Sequence, residues 1–141
     1  MIKVAFASTD RTRVNQHFGS AEGFVVYEVT PDKATLVGVA EFAEEAMDGN
    51  EDKLGAKVDF LEGCAGVYVM AIGASAIKKL LAKGIQPIRV GEVDTVDELL
   101  GQISKAMSDG GVAWIDRAIA AQNKAKAEDR FANMAEEGWE G

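Results

Sequence analysis

The apolar residues of this chain fall into short runs that alternate with polar, glycine-containing segments. Five of these runs have the length and the β-branched or aromatic content of strands, and they cover residues 2–8, 24–29, 34–42, 67–72 and 85–90. The fourth run is continuously apolar, as expected of a strand that is covered on both faces. Pro31-Asp32 separates the second and third runs and predicts a type I turn, so these two runs form a hairpin.

Three further segments carry apolar residues at helical spacing. They are residues 51–62, with Asn50 as N-cap, residues 76–83, and the stretch that the capping box Thr95-Val96-Asp97-Glu98 opens. The strand, helix, strand succession before residue 90 is typical of a parallel strand pair with a right-handed crossover. Beyond residue 111 the chain is alanine-rich and predicts one long helix or two short ones. We therefore expect an α/β domain at residues 1–110 and a C-terminal helical extension with an acidic tail at 111–141.

Charge and composition exclude several classes of protein. A net charge of −8 over 141 residues disfavours a nucleic-acid backbone or an anionic membrane as the partner. The single cysteine, Cys64, excludes an internal disulfide and any site that is built from several thiolates. The chain starts without a signal-peptide pattern, and its longest uncharged stretch, residues 63–77, is too short to span a bilayer. We expect a cytoplasmic protein.

The connection between the first two predicted strands, residues 8–22, is long for a compact domain, and such loops are usually functional or disordered. Val14 and Phe18 supply apolar anchors, so we expect an ordered loop. It contains the chain's only histidine, His17, and the cations Arg11 and Arg13. A neutral imidazole is a good ligand for borderline transition metals, although His17 would equally well cap a backbone carbonyl and have no other role.

Two other positions carry possible chemistry. Gly73-Ala74-Ser75 starts a helix directly after a strand, and the free N–H groups there favour an anion, although a plain strand-to-helix turn has the same sequence. This turn should open on the same sheet edge as the first loop, which would bring it to Arg11, Arg13 and His17. Cys64 stands at a strand entrance, on the opposite edge, where a lone cysteine among small residues is more often buried than reactive.

Three motifs in this order resemble the dinitrogenase iron–molybdenum cofactor-binding family. They are VNQHFGSAEGF at residues 14–24, AIGASA at 71–76 and KGIQPI at 83–88. The likeness covers residues 2–107. Members of that family include small accessory proteins that carry the nitrogenase cofactor or its precursor, and a cofactor-insertion protein that attaches to immature dinitrogenase.

The resemblance implies a ribonuclease-H-like, three-layer α/β/α domain with a mixed five-stranded sheet whose second strand is antiparallel. It also implies that the histidine of the His-Phe-Gly motif, His17, helps to hold an iron–sulfur cofactor as a metal ligand. One imidazole and two arginines can hold a preassembled, anionic cluster but cannot build one. The cofactor-binding candidates are His17, Arg11, Arg13, Asn15, Gly73 and Ser75. The expected cofactor is the iron–molybdenum cofactor or its iron–sulfur precursor, and the expected partners are apo-dinitrogenase or cofactor-assembly proteins.

The same fold would also suit a metal-dependent hydrolase or phosphotransferase. Such an enzyme needs carboxylates that converge on its metals, whereas residues 2–8 contain none and Asp10 lies beyond the strand. A binding module that docks on a protein through its C-terminal helix is a third possibility, and it is compatible with carriage. We therefore predict a protein that carries a cofactor and catalyses no reaction.

Overall fold

The computed structural model describes residues 1–42 and 51–124 of the chain. The elements follow in the order β1 (Ile2–Ala7), β2 (Gly23–Val29), β3 (Ala34–Glu41), α1 (Glu51–Phe60), β4 (Gly66–Val69), α2 (Ala74–Ala82), β5 (Gln86–Arg89) and α3 (Val96–Asp109). A further helix, α4, begins at residue 113 and is described as far as residue 124. None of the helices in these two ranges is both long and apolar enough to cross a membrane.

The five strands form one mixed sheet in the order β3-β2-β1-β4-β5. β1, β4 and β5 are parallel to one another, and β2 is antiparallel to both β1 and β3. This arrangement confirms the mixed five-stranded sheet with an antiparallel second strand. Because parallel strands end at the same edge, the connections that follow β1, β4 and β5 all leave from one edge of the sheet.

Both faces of the sheet are covered, which gives three layers. One core lies under α1 and α2, where Leu61 and Leu80 are fully buried. The other core lies under α3 and α4 and includes Ile103 and Ile115. Strand side chains alternate between the two cores, as the two-residue period of a strand requires.

The start of α4 is part of the second core. Trp114 packs edge-on against the ring of Tyr68, with 6.2 Å between the ring centroids, and Ile115 is only 2% exposed. Gly66 makes room for this contact, because a Cβ atom there would lie 2.9 Å from the Trp114 ring and 3.2 Å from the Gln86 carbonyl oxygen. The predicted domain boundary near residue 110 stays a prediction, and residues 125–141 lie outside the described part of the chain.

Several predicted element ends differ from the structure by one to three residues. β4 ends at Val69 and not at residue 72, because the next N–H, of Met70, donates to the loop carbonyl of Gln16. α2 starts at Ala74, two residues earlier than expected. The capping box places the start of α3 correctly, but the Thr95 hydroxyl makes no capping bond and has no partner within residues 1–42 and 51–124. The predicted N-cap Asn50 lies outside the described residues.

Candidate functional site

The first half of the loop after β1 is shaped by the carboxylate of Asp10. Its Oδ1 accepts the backbone N–H groups of Thr12 at 2.8 Å and Arg13 at 2.9 Å. The hydroxyl of Ser8 donates to the same oxygen at 3.2 Å. The N–H groups of Arg13 and Thr12 hold the pKa of Asp10 below its usual value, since they stabilise the charged form. Asp10 therefore serves the loop backbone.

Asn15 closes this half of the loop. Its side-chain oxygen accepts the N–H of Thr9 at 3.1 Å, and its amide nitrogen donates to the Thr9 hydroxyl at 3.0 Å. Arg11 is held in the left-handed region at φ +64°, and no other non-glycine residue of the described ranges has a positive φ. Such backbone costs about 1 kcal/mol or more for a residue with a Cβ, so the surrounding hydrogen bonds impose it.

The loop then crosses to the start of α3. The Val14 N–H donates to the Asp94 carbonyl and the Val96 N–H donates to the Thr12 carbonyl, both at 2.8 Å. The guanidinium of Arg13 lies 3.7 Å from the Asp94 carboxylate in an exposed pair. Arg13 is therefore placed beside the α3 terminus, with part of its charge balanced by Asp94.

The second half of the loop extends the sheet beyond β4. The Met70 N–H donates to the Gln16 carbonyl and the Phe18 N–H donates to the Ala71 carbonyl, both at 2.9 Å. Phe18 is fully buried in the first core, where its ring meets Phe24 edge-on. His17 stands between these fixed points and is exposed. The sequence thus yields an accessible imidazole on an anchored backbone.

The start of α2 adjoins His17, because Ala71 pairs with His17 and precedes the N-cap, Gly73, by two residues. No side chain caps this terminus, and its first turn contains no acidic residue. Ser75 is exposed in that turn. An uncapped helix start of this kind attracts negative charge through its N–H groups and the helix dipole.

Arg11 lies on the other flank of the loop. It lines a cavity of about 290 Å³ together with residues of β2, β3 and the ends of the loop, among them Thr9, Glu22 and Glu41. The structure therefore brings His17 to Gly73 and Ser75, sets Arg13 beside α3, and turns Arg11 toward the hairpin. The expectation that both arginines gather at the same turn as His17 stays a prediction.

Lys57 is the residue that the sequence analysis overlooked. It is 1% exposed, and its ammonium donates to the carbonyl oxygens of Gly19 at 2.8 Å and Phe18 at 3.4 Å. It also lies over the Phe42 ring, 5.8 Å from the centroid. A signal was present, because Lys57 falls on the same helical face as Leu54 and Leu61 and so interrupts an apolar stripe.

Cys64 lies at the opposite edge, just before β4, and is 6% exposed. Burial raises the pKa of its thiol to about 11, with a small opposing effect of Lys3. It borders a separate cavity of about 350 Å³ between the start of β1 and α4. Across residues 1–42 and 51–124, no three His, Cys, Asp or Glu residues are grouped so that they could hold a metal ion.

Comparison with known proteins places these features in a family. The sequence profile of the family described as "Dinitrogenase iron-molybdenum cofactor" matches residues 1–106. The chain is 46% identical to protein NifX of Azotobacter vinelandii over 140 residues, which cover 99% of this chain and 88% of that one. It is 31% identical to protein NifX of Herbaspirillum seropedicae over 137 residues, or 96% of this chain and 90% of the relative.

Longer proteins and solved structures match as well. The FeMo cofactor biosynthesis protein NifB of Frankia alni is 33% identical over 108 residues, which are 73% of this chain but only 21% of NifB. The crystal structure of PH0822 superposes with a TM-score of 0.54 at 23% identity, over 79% of this chain and 93% of that one. At that identity the superposition supports the fold alone.

Proposed function

The chain belongs to the dinitrogenase iron-molybdenum cofactor family, and on this premise we propose that it binds and carries a preassembled iron–sulfur cofactor during nitrogenase maturation. The cargo is the iron–molybdenum cofactor or its iron–sulfur precursor. The observation that carries the proposal is the exposed His17, held on a backbone that is hydrogen-bonded to the end of β4 beside the uncapped start of α2.

The donors at this edge suit such a cargo. His17 supplies the imidazole ligand for one metal of the cluster. The start of α2, at Gly73 and Ser75, and the flanking cations Arg11 and Arg13 attract its negative charge from three directions. Asn15 contributes by fixing the loop. Its side-chain oxygen and its side-chain nitrogen both form hydrogen bonds with Thr9.

A carrier role agrees with the chemistry better than hydrolysis or phosphoryl transfer. The first acid after β1, Asp10, accepts backbone N–H groups and a hydroxyl through Oδ1, and no three His, Cys, Asp or Glu residues converge on a metal position within residues 1–42 and 51–124. The relatives named NifX and NifB connect the chain to cofactor maturation. We infer that it acts without catalysis and passes its cargo between cofactor-assembly proteins and apo-dinitrogenase.

Anaerobic titration tests the proposal. Isolated iron–molybdenum cofactor or its precursor is added to the purified protein, and bound metal is separated from free metal by gel filtration. We expect a coloured complex with one cofactor per chain. If the folded, monodisperse protein retained no intact cofactor, carriage would be refuted.

A further inference from the structure

The ammonium of Lys57 fixes the direction of two peptide groups next to His17. It donates to the carbonyl oxygen of Gly19 at 2.8 Å and to that of Phe18 at 3.4 Å, and both oxygens therefore face the buried side of the loop. The Phe18 oxygen also accepts the N–H of Ala21 at 3.3 Å, which closes a turn around Gly19 and Ser20. These bonds join α1 to a loop that is 38 and 39 residues away in sequence.

The directions of the two carbonyl groups also determine the directions of the N–H groups in the same peptides. All peptide bonds of the described residues are trans, so each N–H points away from the carbonyl of its own peptide. The N–H groups of Gly19 and Ser20 are therefore directed away from Lys57, toward the exposed side of the loop. Neither has an acceptor within residues 1–42 and 51–124. A Cβ placed on Gly19 would meet nothing within 4 Å, so that side is open.

We propose that the N–H groups of Gly19 and Ser20 form a hydrogen-bonding site for a cluster sulfide beside His17, and that Lys57 is the positioning residue that aims them. The proposal rests on the proposed function for the identity of the cargo. The two contacts come from backbone N–H groups, and the buried ammonium of Lys57 holds those groups in place. Gly19, Ser20 and Lys57 were not among the candidates from sequence.

Sulfide bridges of a cluster are anionic acceptors, and backbone N–H groups are the usual donors to them. Two N–H groups that are already oriented bind such an acceptor without reorganising the loop. Hydrogen bonds to cluster sulfurs also set the reduction potential, because they stabilise the more negative, reduced state. The site is thus expected to affect both the affinity and the potential of a bound cluster.

The first test uses the wild-type protein and tetrathiomolybdate, a dianion with four sulfides on one metal. We expect the amide signals of Gly19 and Ser20 to shift in a saturable way in ¹⁵N-correlated NMR spectra. The amides of Gly55 and Gly101, which stand on helices, serve as controls and should stay in place. Absence of a saturable shift at Gly19 and Ser20 would overturn the proposal. This test needs no variant and no nitrogenase cofactor.

The second test compares Lys57→Met, Lys57→Arg and Lys105→Met, after circular dichroism has verified their folding. Lys57→Met keeps the length of the side chain but cannot donate, so tetrathiomolybdate affinity should fall about tenfold. Lys57→Arg should retain most of the affinity. Lys105→Met removes the same charge from an exposed position on α3 and should change nothing. Equal affinity in the wild type and Lys57→Met would overturn the proposal.

Nitrogenase cofactor separates this inference from the proposed function. If the wild type binds cofactor and Lys57→Met binds it equally well at the same reduction potential, the inference is wrong and carriage stands. If the wild type binds no cofactor, carriage is wrong, and the tetrathiomolybdate shifts still decide the inference. A lower potential of the cluster bound to Lys57→Met would support the inference if the Gly19 and Ser20 amide shifts are also lost in that variant, because losing the buried charge alone lowers the potential without moving those amides.

Discussion

His17 and Cys64 lie at opposite edges of one sheet, and the chain surrounds them differently. Around His17, backbone groups bond to one another across elements, and the side chain itself is left exposed. Around Cys64, apolar side chains of the first core enclose the thiol, which is 6% exposed and whose pKa burial raises to about 11. The first side chain is therefore accessible, whereas the second is a core thiol that stays protonated at neutral pH.

The comparison shows that accessibility, more than residue type, separates the two side chains. Cysteine is the more usual ligand of iron–sulfur clusters, yet a metal binds the thiolate and not the thiol. A loop holds an exposed side chain in a fixed place only if its backbone is anchored elsewhere, and the loop of His17 is anchored to Asp94, Ala71 and Lys57.

The largest expected effect comes from removing α4, whose first residues pack in the second core and which also borders the cavity beside Cys64. A chain that ends at Asp109 loses the buried Ile115 and the Trp114 contact with Tyr68, and we expect it to fold with a stability that is lower by about 3 kcal/mol or more. Cofactor affinity should be kept, because the candidate cofactor-binding residues all lie before α4. Loss of the cooperative unfolding transition would show that residues 1–110 are not a domain by themselves.

Replacing His17 tests the other edge of the sheet. His17→Ala should lower cofactor affinity tenfold or more, because a metal–imidazole bond outweighs a typical surface contact. The melting temperature should stay the same, since the exposed ring contributes little packing. Anaerobic titration and a melting curve measure the two quantities, and an unchanged affinity would remove His17 from the site.

Cys64→Ala should have the reverse pattern. We expect a loss of about 1 kcal/mol in the free energy of unfolding, because a buried sulfur is removed, and no change in cofactor affinity. Urea denaturation and the same titration measure both quantities. If this variant failed to bind while His17→Ala still bound, the ligand would be at the strand entrance instead.

The pH dependence of stability sharpens the same contrast. The folded chain holds the Cys64 proton more tightly than the unfolded chain, so the unfolded chain loses its proton first as the pH rises above 9. Stability should therefore fall between about pH 9 and 11. In Cys64→Ala this decline should be shallower, and what remains comes in part from Tyr68, whose pKa burial raises to about 12. Equally steep declines would show that Cys64 is not buried in solution.

The smallest effect is expected from the two arginines together. Replacing Arg11 and Arg13 with Gln should weaken cofactor binding a few-fold and flatten its dependence on salt, because exposed charges act through a screened field. The melting temperature should hardly change, as the Arg13 pair with Asp94 is largely exposed. Binding that keeps its full salt dependence would exclude both from the site.

The fold could be predicted from the sequence because its information is local. Apolar runs with strand composition and the Pro31-Asp32 turn gave the hairpin and the parallel strands, with shifts of a few residues at the ends. Those shifts arise where non-local hydrogen bonds intervene, as at Met70, whose N–H bonds to Gln16. The capping box predicted the start of α3, but the Thr95 hydroxyl does not form the capping hydrogen bond that the motif predicts.

The candidate site was less accessible to prediction. His17 was singled out because it is the chain's only histidine, but its loop is anchored by the bonds of Val14 and Phe18, which sequence spacing does not reveal. Lys57 was missed because a lysine is normally taken as exposed, although its place on an apolar stripe contradicted that. The binding roles of all six candidates remain predictions; they are His17, Arg11, Arg13, Asn15, Gly73 and Ser75.

The hydrogen bonds of Val14 and Phe18 tie the His17 loop to the starts of both α3 and α2. Displacing the loop requires bonds at two helices to break together, so it should open as one cooperative unit and not fray from one end. Its conformational entropy is already lost when the chain folds. A cargo that docks on this loop therefore binds a surface that is already ordered, and binding does not have to order it.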